Sequence, residues 1–334
     1  MSELRQNLIT RRWVIIASDR ARRPNELAQA ERVRAHVPDW EATCPFCPGN
    51  EELDLEVLRV PEAGDWQVRM VRNLYPAVTD AGEVVRNFSG IYRHIDGIGY
   101  HEVLVESPHH NPAAVLADPQ VTRRVLHTFQ TRGRQIAADP RMEHTIYFKN
   151  HGEKAGTSLI HPHTQLIALP IVPYGIRNRV DEARRYFDDT GRCVVCATLA
   201  EEQRDGRRVI ASNEHFVAFV PYAAYTPFHT WIVPRRHGGS FLQATPHELD
   251  ALSDLLHQLL RTLFHGLNDP DYNYVIRSAP LNEPGHDYLH WYLSIIPRLT
   301  YAAGFELGTG MFINPVKPEE AAAFLREEKE KIEE

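Results

Sequence analysis

Two Cys-x-x-Cys pairs, Cys44/Cys47 and Cys193/Cys196, each open the same succession of elements. After Cys47 comes an apolar strand, Glu102 to Glu106, that runs into Ser107-Pro-His-His110; after Cys196 the strand Thr230 to Val233 runs into Pro234-Arg-Arg-His237. A helix signal follows each histidine. Asp118 and Pro119 cap and start the first, with Val121, Val125, Leu126, Phe129 and Ile136 on one side. Thr245, Pro246 and Glu248 form a capping box for the second, whose stripe is Leu249, Leu252, Leu256, Leu259 and Leu263. Each half then has a β-like segment, Thr145–Lys149 and Tyr272–Arg277. Each closes on a histidine heading another strand, His161 before Gln165–Leu169 and His290 before Trp291–Ile296. The intervals agree: 161 − 110 = 51 residues from His110 to His161, and 290 − 237 = 53 from His237 to His290. Shared order, caps and spacing predict the duplication of one α+β unit.

Soft thiolates with imidazoles suit zinc over magnesium or calcium, and four protein ligands close a tetrahedral site to water. The expectation is two structural metal sites: Cys44, Cys47, His110 and His161, then Cys193, Cys196, His237 and His290. Zinc is expected at both, with iron the alternative at the second. His109 competes with His110, and His286 with His290.

The formal charge of −7 over 334 residues argues against a nucleic-acid surface, which needs a basic face, but leaves room for small anions held by local arginines. No apolar run reaches membrane-span length, and the N-terminus lacks a signal-peptide pattern, so a cytoplasmic protein without membrane partners is expected. The acidic tail from Glu327 reads as a solvated helix end.

The stretch Ser158-Leu-Ile-His-Pro-His-Thr-Gln-Leu166 carries the chemistry. In extended chain, residues two apart share a face, so His161, His163 and Gln165 project together. A metal-fixed His161 gives His163 a rigid base. A neutral imidazole is both nucleophile and leaving group, which suits a transient phosphoryl bond. Gln165 offers amide donors to a phosphate oxygen. Asn150-His-Gly152 and Gly156-Thr-Ser158 read as a loop able to cradle that phosphate. Satisfied histidines at a strand end are the plainer alternative.

The chain resembles the galactose-1-phosphate uridylyltransferase family, the transferase branch of the histidine-triad superfamily. Carrying the likeness are Asn7, Thr10, Trp13-Val14, Asp19-Arg-Ala-Arg-Arg-Pro24, Cys44-Pro-Phe-Cys47, Arg72-Asn-Leu-Tyr-Pro76, Ser107-Pro-His-His110, Asn150 to Gln165, and Gly304-Phe-Glu306. The resemblance implies an α+β fold of two histidine-triad-like halves, each an antiparallel sheet with a packed helix: residues 1–172 with the nucleophile and 173–334 with a structural metal and a sugar-binding segment, joined near Pro170 to Tyr186. It implies that His163 attacks the α-phosphorus of a nucleotide sugar while the main-chain carbonyl of His161 orients its ring. Gln165, Ser158 and Asn150 would hold the phosphate, Asn73 the nucleoside, Arg20 and Arg23 the sugar-side phosphate, and Glu306 the sugar hydroxyls. Tyr292 takes the place of His163 in the second half. A homodimer is implied as well.

Gln165 stands where histidine-triad hydrolases carry a third histidine, and an amide cannot protonate a leaving group; a transferase is favoured over a hydrolase or a non-catalytic zinc-stabilised binding protein. Two features depart from the family. Thr164 replaces a usual glycine, and Tyr301-Ala-Ala-Gly-Phe-Glu306 replaces a Lys-Phe approach. The second Cys-x-x-Cys set and Gly304 to Gly310 are more similar to the plant ADP-glucose phosphorylase branch. The expected activity is transfer of UMP from UDP-glucose to a hexose 1-phosphate such as galactose 1-phosphate, with adenylyl transfer from an ADP-sugar the alternative.

Overall fold

The computed structural model describes residues 2–18, 37–283 and 285–333. The first half contains strands β1 (Glu3–Gln6), β2 (Trp13–Ile16), β3 (Glu56–Val60), β4 (Val68–Arg72), β5 (Arg86–Ser89), β6 (Tyr92–Ile95), β7 (Tyr100–Val105), β8 (His144–His151) and β9 (His163–Leu169). The second contains β10 (Val209–Ser212), β11 (Phe216–Phe219), β12 (Thr230–Pro234), β13 (Tyr272–Arg277), β14 (Tyr292–Pro297) and β15 (Phe312–Asn314).

Both expected helices form where their caps put them. The Asp118 side chain accepts from Gln120 N–H at 2.9 Å and starts helix Pro119–Ala137. Thr245 and Glu248 exchange side-chain-to-backbone bonds of 3.2 and 2.8 Å and start helix Pro246–Gly266. All five leucines of the second helix's stripe are buried. At about 2 kcal/mol for each buried leucine, that stripe holds the helix to the sheet far more firmly than its caps do.

The duplication shows in the sheet. Ten strands run β3-β4-β7-β9-β8-β13-β14-β12-β11-β10, five from each half in mirrored order. Each half carries the expected antiparallel sheet, and β8 and β13 pair antiparallel, Tyr272 opposite His151 and Ile276 opposite Tyr147, so the two sheets join into one. Each of these strands is the edge of its own half, and an unpaired edge leaves a row of unsatisfied amides. Pairing them satisfies both. The expected connector from Pro170 to Tyr186 includes the start of helix Tyr174–Thr190.

Alternation sorts the two faces. Leu104, Tyr147, Leu166, Ala168, Ile276 and Leu293 point toward helices Pro119–Ala137 and Pro246–Gly266 in the main core. On the opposite face the halves differ. In the second half Val217, Phe219, Trp231, Val233 and Tyr292 lie in a second apolar cluster with Val180 and Ala183 of helix Tyr174–Thr190 and Val194, Val195 and Leu199 of helix Val194–Asp205. In the first half that face carries His163 and Gln165.

Helix Pro119–Ala137 lies so close to β8 that a Cβ on Gly133 would collide with the Tyr147 hydroxyl and come to 2.8 Å from Leu242 Cδ2. Gly133→Ala would gain up to about 1 kcal/mol of helix propensity but overpack a site worth about 1–3 kcal/mol. Urea denaturation is expected to show net destabilisation with an unchanged m-value; a more stable variant would mean the contact is loose.

Candidate active site

The two expected metal sets are assembled, the ligand atoms of each lying within 4.8 Å of one another. At the first, Cys47 Sγ is 3.5 Å from His110 Nδ1 and 3.6 Å from His161 Nδ1, and Cys44 Sγ is 3.6 Å from His161 Nδ1. Tetrahedral bonds of about 2.3 Å to sulfur and about 2.05 Å to nitrogen place such atoms about 3.6 Å apart, so the donor set fits a zinc-sized dication. Glu41 N–H donates to Cys47 Sγ at 3.3 Å, a contact that favours thiolate. At the second set, Cys196 Sγ is 3.3 Å from His237 Nδ1 and 3.2 Å from His290 Nδ1. All four cysteines are free thiols. Between the rival histidines the geometry decides for His110 and His290: His109 is exposed, and His286 is exposed and stacked on Tyr288 at 4.9 Å.

Both inner histidines are held from behind. His161 Nε2–H donates to the Ser107 carbonyl at 2.8 Å, and His290 Nε2–H to the Pro234 carbonyl at 3.1 Å, which turns each Nδ1 lone pair toward the thiolates. His161 is fully buried, and burial pushes its pKa down to about 4, the neutral form a metal needs.

His163 opens β9 two residues later. Its Nδ1–H donates to the His161 carbonyl at 2.8 Å, so the ring proton is committed and Nε2 keeps its lone pair. Burial lowers the pKa of this imidazole, against the opposing effect of that carbonyl. The ring lies against Phe46 at 5.6 Å. It forms the shared wall of two cavities. One, about 590 Å³, is lined by Lys149, Asn150, Gly152, Ser158 and His161 among others. The other, about 400 Å³, is lined by Phe46, Leu55, Arg72, Asn73, Tyr75 and Gln165. Ser158, Leu159 and His163 belong to both.

The loop between Asn150 and Ser158 is tied down by the other half of the chain. Gly152 has φ 83°, and any Cβ there would strike the Asp271 carboxylate; that carboxylate accepts from Lys154 N–H at 2.6 Å. Asn273 Nδ2 donates to the Ala155 carbonyl at 2.9 Å and to Asn150 Oδ1 at 2.8 Å. Because a main-chain carbonyl can only accept, the Asn273 amide orientation is fixed. Asn150 must then present oxygen to it, which leaves the Asn150 NH₂ for the cavity. Asp271 and Asn273 were not read from the sequence, since they lie in the other half, more than 100 residues from the loop they hold.

A buried ion pair, Lys149 Nζ to Glu106 Oε1 at 2.5 Å, lies beside this loop and was also unread. Alternating strand positions do not reveal which polar groups meet across a sheet.

The remaining sequence-derived residues divide. Asn73 lines the smaller cavity, its Oδ1 accepting from Tyr75 N–H at 2.9 Å. Glu306 is not brought to either cavity: in helix Gly304–Thr309 one carboxylate oxygen accepts from Ala303 N–H at 3.0 Å. Arg20 and Arg23 fall outside the described residues. No helix among those residues is long and apolar enough to cross a membrane.

The metal sets carry a direct expectation. Purified protein should hold two equivalents of metal per chain; Cys47→Ser and Cys196→Ser should each remove one, by elemental analysis. Retention of both after Cys47→Ser would contradict the first site.

Comparison with known proteins completes the picture. Residues 1–173 match the model of the galactose-1-phosphate uridyl transferase N-terminal domain, and residues 179–328 that of its C-terminal domain. ADP-glucose phosphorylase of Arabidopsis thaliana is 38% identical, covering 97% of this chain and 92% of its own. Galactose-1-phosphate uridylyltransferase of Thermotoga maritima is 29% identical over 98% of both. Among solved structures, an Arabidopsis ADP-glucose phosphorylase with bound ADP-glucose superposes with a TM-score of 0.81 at 34% identity over 98% of each chain. A uridylyltransferase does so at 0.77 and 27% over 100% of each. With two mirrored five-stranded halves and family models along most of its length, the chain belongs to the galactose-1-phosphate uridyl transferase family.

Proposed function

We propose that the protein transfers a nucleoside monophosphate from a nucleoside-diphosphate sugar to a phosphate acceptor through a covalent nucleotidyl-His163. The observation that carries this is the bond from His163 Nδ1–H to the His161 carbonyl beneath the wall between two cavities. It leaves Nε2 as the nucleophile. In the first half-reaction Nε2 attacks the α-phosphorus, the bond to the bridging oxygen breaks, and the sugar 1-phosphate leaves with that oxygen. In the second an acceptor phosphate oxygen attacks the same phosphorus and His163 leaves as neutral imidazole.

The Asn150 and Gln165 amides and the Ser158 hydroxyl are suited to donate to the α-phosphate oxygens as charge builds there. The cavity with Asn73 suits the nucleoside, and Arg20 and Arg23 the sugar-side phosphate. A closed zinc set at Cys44, Cys47, His110 and His161 supplies position and no chemistry; the set at Cys193, Cys196, His237 and His290 likewise braces its own half. A homodimer belongs to this proposal, since Glu306, which lines neither cavity in one protomer, would reach substrate only from a second copy.

The identities weigh the base toward adenosine, 38% to the ADP-glucose phosphorylase against 29% to the bacterial uridylyltransferase. The second Cys-x-x-Cys set and Gly304 to Gly310 are similar to the same branch. ADP-glucose is therefore the proposed donor and inorganic phosphate the acceptor, releasing glucose 1-phosphate and ADP. Uridylyl transfer to galactose 1-phosphate is the second reading, favoured by the family model itself.

Intact mass spectrometry after mixing with ADP-glucose or UDP-glucose, acceptor withheld, separates them. An adenylyl adduct that phosphate discharges as ADP is expected, and His163→Ala should abolish it. A uridylyl adduct alone would transfer the assignment to the second reading. No adduct from either, in metal-replete protein, would end the transferase proposal.

A further inference from the structure

Gln165 has a carboxamide with a donor end and an acceptor end, and only the donor end can serve a phosphate. Something has to decide which end faces the cavity. β7 lies beside β9, with His101 opposite Ile167 and Val103 opposite Gln165. His101 and Gln165 therefore sit diagonally on one face. His101 Nε2 is 3.0 Å from Gln165 Oε1. On the other side of the ring, Ala77 N–H points at His101 Nδ1 at 3.0 Å.

A backbone N–H can only donate, so Nδ1 must accept and the ring's single proton must be on Nε2. Two atoms lie near that proton. Asn73 Nδ2, at 3.1 Å, is no acceptor, because Asn73 Oδ1 is turned away to receive Tyr75 N–H. Gln165 Oε1 is the acceptor that remains. The Gln165 carbonyl is thereby drawn back toward β7, and its NH₂ is left for the cavity that His163 lines.

We infer that His101 is a positioning residue, which fixes the Gln165 carboxamide with its amide donors facing the transferring phosphoryl group. The chain of command starts at the Ala77 amide: main-chain N–H to Nδ1, Nε2–H to Gln165 carbonyl, Gln165 N–H to substrate. Without His101 the carboxamide samples both orientations, and half of them present a carbonyl oxygen to an anionic oxygen. The inference rests on the nucleotidyl-transfer reading for its kinetic consequence, while the orientation itself is independent of it.

The test is a double-mutant cycle read in single turnover as the rate of nucleotidyl-enzyme formation. His101→Phe keeps the ring and loses both hydrogen bonds; it is expected to slow that step by roughly 10-fold to 100-fold, with metal content and circular dichroism unchanged. Gln165→Ala should slow it by about 10² or more, as loss of one phosphate-directed donor does elsewhere. The double variant should be no slower than Gln165→Ala alone. His101→Gln, which can still donate to the Gln165 carbonyl, should recover part of the rate. Full additivity of the two single effects would overturn the inference, and so would a His101→Phe enzyme of wild-type rate. Should wild-type protein form no adduct at all, the transfer reading fails separately. Neutron diffraction then decides the orientation on its own, supporting it with a proton on His101 Nε2 and refuting it with one on Nδ1.

Discussion

One residue joins the first Cys2His2 set to the ring of the proposed nucleophile. His161 turns Nδ1 to the cysteine thiols, donates Nε2–H to the Ser107 carbonyl, and receives His163 Nδ1–H on its own carbonyl. A dication in that set would restrain the ring from one side and the Ser107 backbone restrains it from the other. Proline at 162 limits the turn that carries the constraint to His163. An imidazole mounted in this way, acting as the proposed nucleophile, would lose little freedom when substrate arrives, and its tautomer is decided before any substrate is present.

The same logic extends around the site. Asn273 occupies the oxygen of Asn150, and Asp271 holds the loop at Lys154. Asn273 thus consumes the acceptor end of a carboxamide, for which an anion has no use, while Asp271 fixes the loop itself. Asp271 and Asn273 sit just before and within the start of β13, so the second half braces the loop of the first, although Tyr292 stands at the place that His163 takes there. Its corresponding face is filled by helices Tyr174–Thr190 and Val194–Asp205, and a filled face cannot admit a nucleotide. The two halves thus differ, one keeping an open face with His163 and Gln165 and the other a filled face, and they join through β8 and β13.

Much of this was legible in the sequence where local rules govern. Ligand spacing picked out both metal sets, and the caps at Asp118 and Thr245 placed both long helices, because those signals lie within a few residues of what they determine. The Ser158 to Leu166 stretch placed His163 and Gln165 on one face by simple alternation. What escaped is what depends on register between strands distant in the chain. Asn273 meets Asn150 across 123 residues, and no periodicity reports which rung of β13 lies against β8. His101 was missed for the same reason, although its alternation with Val103 places it on the face of Gln165 once the β7–β9 register is known. Glu306 shows the reverse case: the resemblance named it, and the fold leaves it outside both cavities.

A metal held by His161 would set the tautomer of His163 through the main-chain carbonyl between them. ¹⁵N NMR of the histidine rings in metal-replete protein at neutral pH measures it, with His163→Gln supplying the assignment and metal-stripped protein the control. The expected result is a proton on His163 Nδ1 and a bare Nε2 in the replete protein, with that signal broadened or exchanged between tautomers once metal is removed. A replete His163 protonated on Nε2, or a spectrum indifferent to the metal, would contradict the account.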